Sequence, residues 1–285
     1  MGNKISNTKK SSRASCDNDR MVNINMITDE KQVDRLQVQH HLLRTLWGGN
    51  FCSPIAEELR AGGSYVLDVG CGPGTWICDM ASDFPNSNFT GVDIVATFPT
   101  ERPRNVTFQN GNLIERLPFD DSSFDFVHMS SKVLYFTEAE WRTRIVVELV
   151  RVLKPGGYLE LEDGDGECYN MSPTYDRISK AVLAQLYARN MNPFIVQQIE
   201  EIMESSGLIN IRHKEVIVPI GNWGGNLGML MVDLVGSLFD GLRDKITSQM
   251  NIRPQNFDRV LETCKNELDI YKTYAKCYRF YSMKA

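Results

Sequence analysis

An acid and three alternating glycines follow an apolar run in Val66-Leu67-Asp68-Val69-Gly70-Cys71-Gly72-Pro73-Gly74. Such a run reads as a strand breaking into a tight turn, where glycine lets the backbone come close to a ligand at the strand's carboxyl end. Asp68 favours a ligand with a cationic amino group and repels a phosphate. The dinucleotide fingerprint G-x-G-x-x-G also requires glycine at position 75, where Thr75 stands. Asp93 lies near the end of the next apolar stretch, Phe89-Thr90-Gly91-Val92-Asp93-Ile94, where a carboxylate can accept both hydroxyls of a ribose. Gly111-Asn112-Leu113 closes a third stretch with a short amide and an apolar side chain suited to the edge and face of an adenine. Met129 and Ser130 close a fourth stretch on the same rim. His128 beside them is the titratable group best placed to deprotonate an oxygen or nitrogen, or else a histidine that only packs or hydrogen-bonds in the pocket.

Taken in order over residues 63–163, these motifs resemble the class I S-adenosylmethionine-dependent methyltransferases. The resemblance implies S-adenosylmethionine as cofactor. It places the methionine moiety on Asp68 and the loop Gly70, Cys71, Gly72 and Gly74, the ribose on Asp93 beside Ile94, and the adenine on Asn112 and Leu113, with Met129 and Ser130 completing the cofactor site. Leu117 to Asp125 and Leu153 to Gly157 match family segments that read as structural. The flanks Val33 to Leu43 and Gly221 to Gly228 look like fungal methyltransferases related to secondary-metabolism regulators. The implied activity is methyl transfer to an unidentified small-molecule or protein acceptor. The alternative is a cofactor-binding regulatory or scaffold protein with little turnover, and a nicotinamide dehydrogenase is disfavoured by Thr75 and Asp68.

The elements that must position these residues follow from hydrophobic periodicity. Strand-like segments at Tyr65 to Val69, Phe89 to Ile94, Val106 to Gln109, Phe124 to Met129 and Tyr158 to Leu161 alternate with helical patterns, several of which separate them. That alternation predicts an α/β fold: a Rossmann-like, doubly wound, seven-stranded and mostly parallel sheet. The late strands Ile209 to Ile220 and Tyr274 to Ser282 lack helical crossovers of the earlier kind and predict an antiparallel edge strand. The expected organisation is a disordered basic tail (1–28), an N-terminal helical cover (29–62), the cofactor-binding core (63–165), and C-terminal helical insertions with the last strands of the same sheet (166–285). The acceptor should lie between the cover and the late helices. Lys154-Pro155-Gly156-Gly157 predicts a turn between a helix and the fifth strand. The acidic run Glu160 to Glu167 reads as a solvated loop after that strand, and no metal site is assigned. Trp76 and Trp223 read as core aromatics rather than acceptor lining.

Composition sets outer bounds. The 285 residues carry 31 Lys+Arg against 36 Asp+Glu, a net charge of -5 that gives no global field for a nucleic acid backbone. Seven cysteines without a C-x-x-C pair or zinc-ligand spacing fit reduced thiols in a cytoplasmic chain, with the nucleus left open. No stretch is long and apolar enough for a transmembrane segment. Met1-Gly2-Asn3-Lys4-Ile5-Ser6 fits M-G-x-x-x-[ST], the pattern for myristoylation of Gly2. Lys4, Lys9, Lys10 and Arg13 would add attraction to anionic lipid, and Cys16 could take a second acyl chain, so peripheral membrane contact through the N-terminus is the expectation.

Overall fold

A computed structural model describes residues 30–285; the tail carrying Gly2, Cys16 and the early basic residues lies outside the described residues. The chain runs through α1 (Glu30–Trp47), α2 (Ala56–Ala61), β1 (Tyr65–Val69), α3 (Thr75–Asp83), β2 (Asn88–Asp93), β3 (Val106–Asn110) and β4 (Phe124–Ser130). A helical turn, α4 (Glu138–Glu140), continues through a π-helical stretch, Trp141–Ile145, into α5 (Val146–Val152). Then come β5 (Leu153–Tyr169), α6 (Pro173–Tyr187), α7 (Ile199–Ser205), β6 (Leu208–Pro219), α8 (Gly225–Gly241), α9 (Arg243–Gln249), α10 (Phe257–Tyr271) and β7 (Tyr274–Lys284).

The strands form one seven-stranded sheet in the order β3-β2-β1-β4-β5-β7-β6. The pairs among β1 to β5 are parallel, and β7 runs antiparallel to both β5 and β6. Strand alternation sends Leu67, Val69, Val127, Met129, Leu159 and Leu161 to one face, where Ile145, Leu149, Ile199 and Ile202 cover them. Val66, Phe89 and Phe126 go to the other face, under Leu59, Trp76, Ile77 and Met80. Full burial of each such side chain contributes about 1.5–3 kcal/mol, which is why the central strands read as apolar runs. The late helices build a separate core around Tyr175, Ile178, Phe239, Ile246, Phe257 and Leu268.

Local signals explain several boundaries. Thr137 and Glu140 form a reciprocal capping box, and Ser172 caps α6 with Pro173 in its first turn. Two expectations are corrected. Lys154 to Gly157 is not a turn outside the sheet but an irregularity within β5: Phe124 pairs with Leu153 and Phe126 with Tyr158, so the intervening residues bulge, with Gly156 at φ 78°. The run from Glu160 to Glu167 is not a solvated loop, because pairing with β7 carries β5 on to Tyr169 and buries Glu160, Glu162 and Asp165. A 3-10 turn, Ile195–Gln198, leads into α7. The chain breaks at Leu242 between α8 and α9.

Candidate functional site

The carboxyl end of β1 is the centre of the site. Gly70, Cys71 and Val92 lock the loop to β2, with the first two amides donating to the Val92 carbonyl at 2.7 and 3.1 Å. Gly70, Gly72 and Gly74 have φ of 70°, 53° and 76°, a region that strains other residues. At Gly74 space is also exhausted, since a Cβ would lie 2.5 Å from Phe108 Cζ. Gly74→Ala should therefore cost about 2–4 kcal/mol, combining left-handed strain with overpacking. Urea unfolding checks this, and a loss below 1 kcal/mol on the order of error would contradict the packing described.

Asp93 ties the next strand to this loop. Its Oδ2 accepts from the Gly72 amide at 2.8 Å and its Oδ1 from the Val95 amide at 2.9 Å. Each carboxylate oxygen retains a lone pair for a further donor. Gly111 donates to the Asp93 carbonyl, bringing the Asn112 and Leu113 segment to the same rim. Asn112 Oδ1 accepts from the Ile114 amide, Leu113 is buried, and Ile94 is exposed. Ser130 is half-buried at the end of β4. Met129 alternates away: its side chain packs in the core on the opposite face from His128, so only its backbone can reach this rim. Cys71 is no nucleophile, because burial, and then the charges of Asp68 and Asp93, push its thiol far above the usual value.

Asp68, His128 and Glu160 occupy one row across β1, β4 and β5. Asp68 Oδ1 lies 2.9 Å from His128 Nδ1, and both side chains are buried. An acceptor-only carboxylate assigns the proton to Nδ1 and leaves a lone pair on Nε2. That Nε2 is buried and has no hydrogen-bond partner among the described residues. Trp76 stacks on the imidazole, with centroids 3.8 Å apart and planes 7° from parallel, and its Nε1 donates to the Asn50 carbonyl. Trp76 is thus both core aromatic and wall of the site, while Trp223 is exposed on the late helices.

The acidic stretch that follows holds the cover in place. Glu160 accepts from the Cys52 and Ser53 amides and from Ser53 Oγ. Glu162 accepts from Arg279 Nε at 2.6 Å and from Trp47 Nε1 at 3.2 Å. Arg279 also donates to the Gly49 carbonyl and lies 4.6 Å from the Trp47 ring centre. Sequence reading missed Trp47, Asn50 and Arg279; the available signal was the period-two spacing of Glu160 and Glu162 within an apolar strand. Asp163, on the other face, accepts from the Lys132, Val133 and Gly164 amides. Burial nevertheless pushes its carboxyl up to about 6.

A second bridge joins cover and core. Asp79 Oδ2 lies 3.0 Å from His40 Nε2 and 2.7 Å from Arg44, which also reaches Asp83. His40, His41 and Asp79 each bring one ligand atom within 4.8 Å of the others and could hold a metal ion. Arg44 already supplies the positive charge at Asp79, so that set is explained as a helix-to-helix clamp. Burial holds His40 below the usual histidine value against the pull of Asp79.

Residues 66–157 match a family described as a methyltransferase domain. The chain is 26% identical over 258 residues to the N-methyltransferase gliN of Aspergillus fumigatus, covering 85% of this chain and 89% of that protein. It is 29% identical over 160 residues to the secondary metabolism regulator laeA of Coprinopsis cinerea, covering 55% of this chain and 39% of that protein. Among solved structures, phosphoethanolamine N-methyltransferase 2 of Haemonchus contortus in complex with S-adenosyl-L-methionine has a similar fold, with a TM-score of 0.52 at 19% identity. The match covers 91% of this chain and 59% of that one.

Proposed function

Given that the chain is a class I S-adenosylmethionine-dependent methyltransferase, we propose that it methylates a nitrogen of a small molecule and that His128 takes the proton. The observation carrying this reading is the buried Asp68–His128 pair at the carboxyl end of β1, whose Nε2 has no hydrogen-bond partner among the described residues. The name of the similar gliN protein supports nitrogen as the acceptor atom.

The residues present fit the cofactor. A Cβ at Gly72 would meet nothing within 4 Å, so the loop is open to a close ligand there, and Asp93 has lone pairs to spare for a diol. In this reading Asp68, Gly70, Cys71, Gly72 and Gly74 hold the methionine portion, Asp93 the ribose, and Ile94, Asn112 and Leu113 the adenine. Ser130 and the Met129 backbone border the methionine end. When bound, S-adenosylmethionine supplies an electrophilic methyl group on its sulfonium. The chain's own work is positioning and exclusion of water. Asp68 keeps the His128 proton on Nδ1, so Nε2 can accept one from the acceptor nitrogen and share the resulting charge with Asp68. The clamp at Glu160, Glu162 and Arg279 fixes the cover over this face.

The test uses S-adenosylmethionine carrying a carbon-13 methyl group, incubated with the full chain and extract from its own cells. The expected product is a small molecule with an N-methyl carbon resonance; label appearing only on oxygen, carbon or protein contradicts the reading. His128→Gln should lower turnover by about 10²–10⁴-fold while leaving S-adenosylhomocysteine affinity within about threefold. Unchanged turnover would remove the histidine from the mechanism. A second reading, a cofactor-binding regulator with little turnover, is favoured by the likeness to the laeA protein and predicts no label transfer beyond background.

Among the described residues no helix is long and apolar enough to cross a membrane. A myristoyl group on Gly2, followed by Lys4, Lys9 and Lys10, belongs to the proposal as a peripheral tether. Intact mass of protein from its own cells should carry the myristate increment, and an unmodified mass would contradict it.

A further inference from the structure

Lys132 has no task in the mechanism, yet it lies on the cofactor loop. Asp163 pins its backbone, accepting from the Lys132 amide at 2.5 Å and from the Val133 amide at 2.7 Å. The half-buried side chain then folds back across the first glycine: a Cβ at Gly70 would sit 2.1 Å from Lys132 Cε and 2.9 Å from Nζ. The ammonium is 5.2 Å from the Tyr135 ring centre and, among the described residues, has no carboxylate oxygen within the 4.0 Å of an ion pair. At Cys71 the charges of Asp68 and Asp93 are opposed by that of Lys132.

The loop itself has few donors to offer an anion. The Gly70 and Cys71 amides both donate to the Val92 carbonyl, Gly72 to Asp93, and Gly74 to the Cys71 carbonyl, while Pro73 has no N–H. A ligand whose amino group faces Asp68 and whose amino-acid portion crosses Gly70 also carries an α-carboxylate. With these four amides committed, a flexible, half-buried cation resting on the same glycine is the complementary group.

We propose that Lys132 is a cofactor-binding residue whose ammonium meets the α-carboxylate of the methionine portion, making the site selective for ligands that retain that carboxylate. This rests on the reading of the glycine loop as the methionine cradle. The stem lying over Gly70 swings aside as the ligand enters, while the backbone stays fixed by Asp163.

Calorimetric titration of the full chain and of Lys132→Met tests this with S-adenosylhomocysteine, its decarboxylated analogue and 5′-methylthioadenosine, which lacks the amino-acid portion. The unaltered chain should prefer S-adenosylhomocysteine to the decarboxylated analogue by about 10–100-fold, the range of a charge-assisted contact. In Lys132→Met that preference should fall below about threefold, with 5′-methylthioadenosine bound equally by both proteins. Lys132→Arg, which keeps the charge, should retain a preference of about tenfold. A preference that persists in Lys132→Met overturns the proposal. So does tighter S-adenosylhomocysteine binding in that variant, which would make the lysine a barrier. If the unaltered chain binds 5′-methylthioadenosine as tightly as S-adenosylhomocysteine, the cradle reading fails first. Matching thermal unfolding of the proteins separates each outcome from misfolding.

Discussion

Asp93→Ala is expected to weaken S-adenosylhomocysteine binding by two to four orders of magnitude, on the basis of two charge-assisted hydrogen bonds to the ribose at about 1.5–3 kcal/mol each. The structure adds a second cost. Asp93 also accepts from the Gly72 and Val95 amides, so the substitution releases the glycine loop as well as the ligand. Unfolding of the ligand-free variant measures that structural share, and calorimetry measures the whole. Affinity within about threefold of the unaltered chain would contradict the ribose assignment.

Arg279→Met should have the largest effect on stability. The guanidinium is buried against Glu162 at 2.6 Å and lies 3.9 Å from the buried Glu160. Removing one partner of a buried ion pair costs about 3–5 kcal/mol because the other charge stays behind in a dry site. Glu160 has its own amide and hydroxyl donors, so the burden falls mainly on Glu162. Arg279→Met with Glu162→Gln should accordingly recover part of the loss, and urea unfolding of the three proteins reads it. The Gly49 carbonyl and the Trp47 ring lose their partner too, so cleavage near Gly48 by a protease should accelerate. A loss below about 1 kcal/mol would show that Arg279 does not clamp the cover.

Much of the site was legible because its residues are local in sequence. The strand, acid and glycines from Val66 to Gly74 announce their turn within nine residues, and β1 has the predicted bounds. The place of Asp93 follows from the next strand in the same way. What could not be read was long-range pairing. Glu160 looked like the start of a loop because the length of β5 is set by β7, more than a hundred residues later. The partner of Glu162 is 117 positions away, and Asp68 and His128 are 60 apart, so no local spacing reports either contact. Met129 shows the opposite limit. Its position at the rim was legible, but strand alternation turns its side chain into the core.

Lys132 shows how a sequence can present a residue without its meaning. It follows β4 as one lysine among many, and only the backbone grip of Asp163 places its side chain over Gly70. The same geometry explains why the loop's committed amides matter: a glycine turn holds an anion only when its N–H groups are free.

A crystal structure of the full chain with S-adenosylhomocysteine decides whether the Gly70 to Gly74 loop cradles the cofactor. The ribose diol should lie on Asp93, the adenine beside Ile94, Asn112 and Leu113, and the homocysteine sulfur on the side of the cleft occupied by His128, whose Nδ1 remains on Asp68. A ligand bound away from the Gly70 to Gly74 loop, or a sulfur turned from His128 toward the opposite face of the sheet, would contradict it.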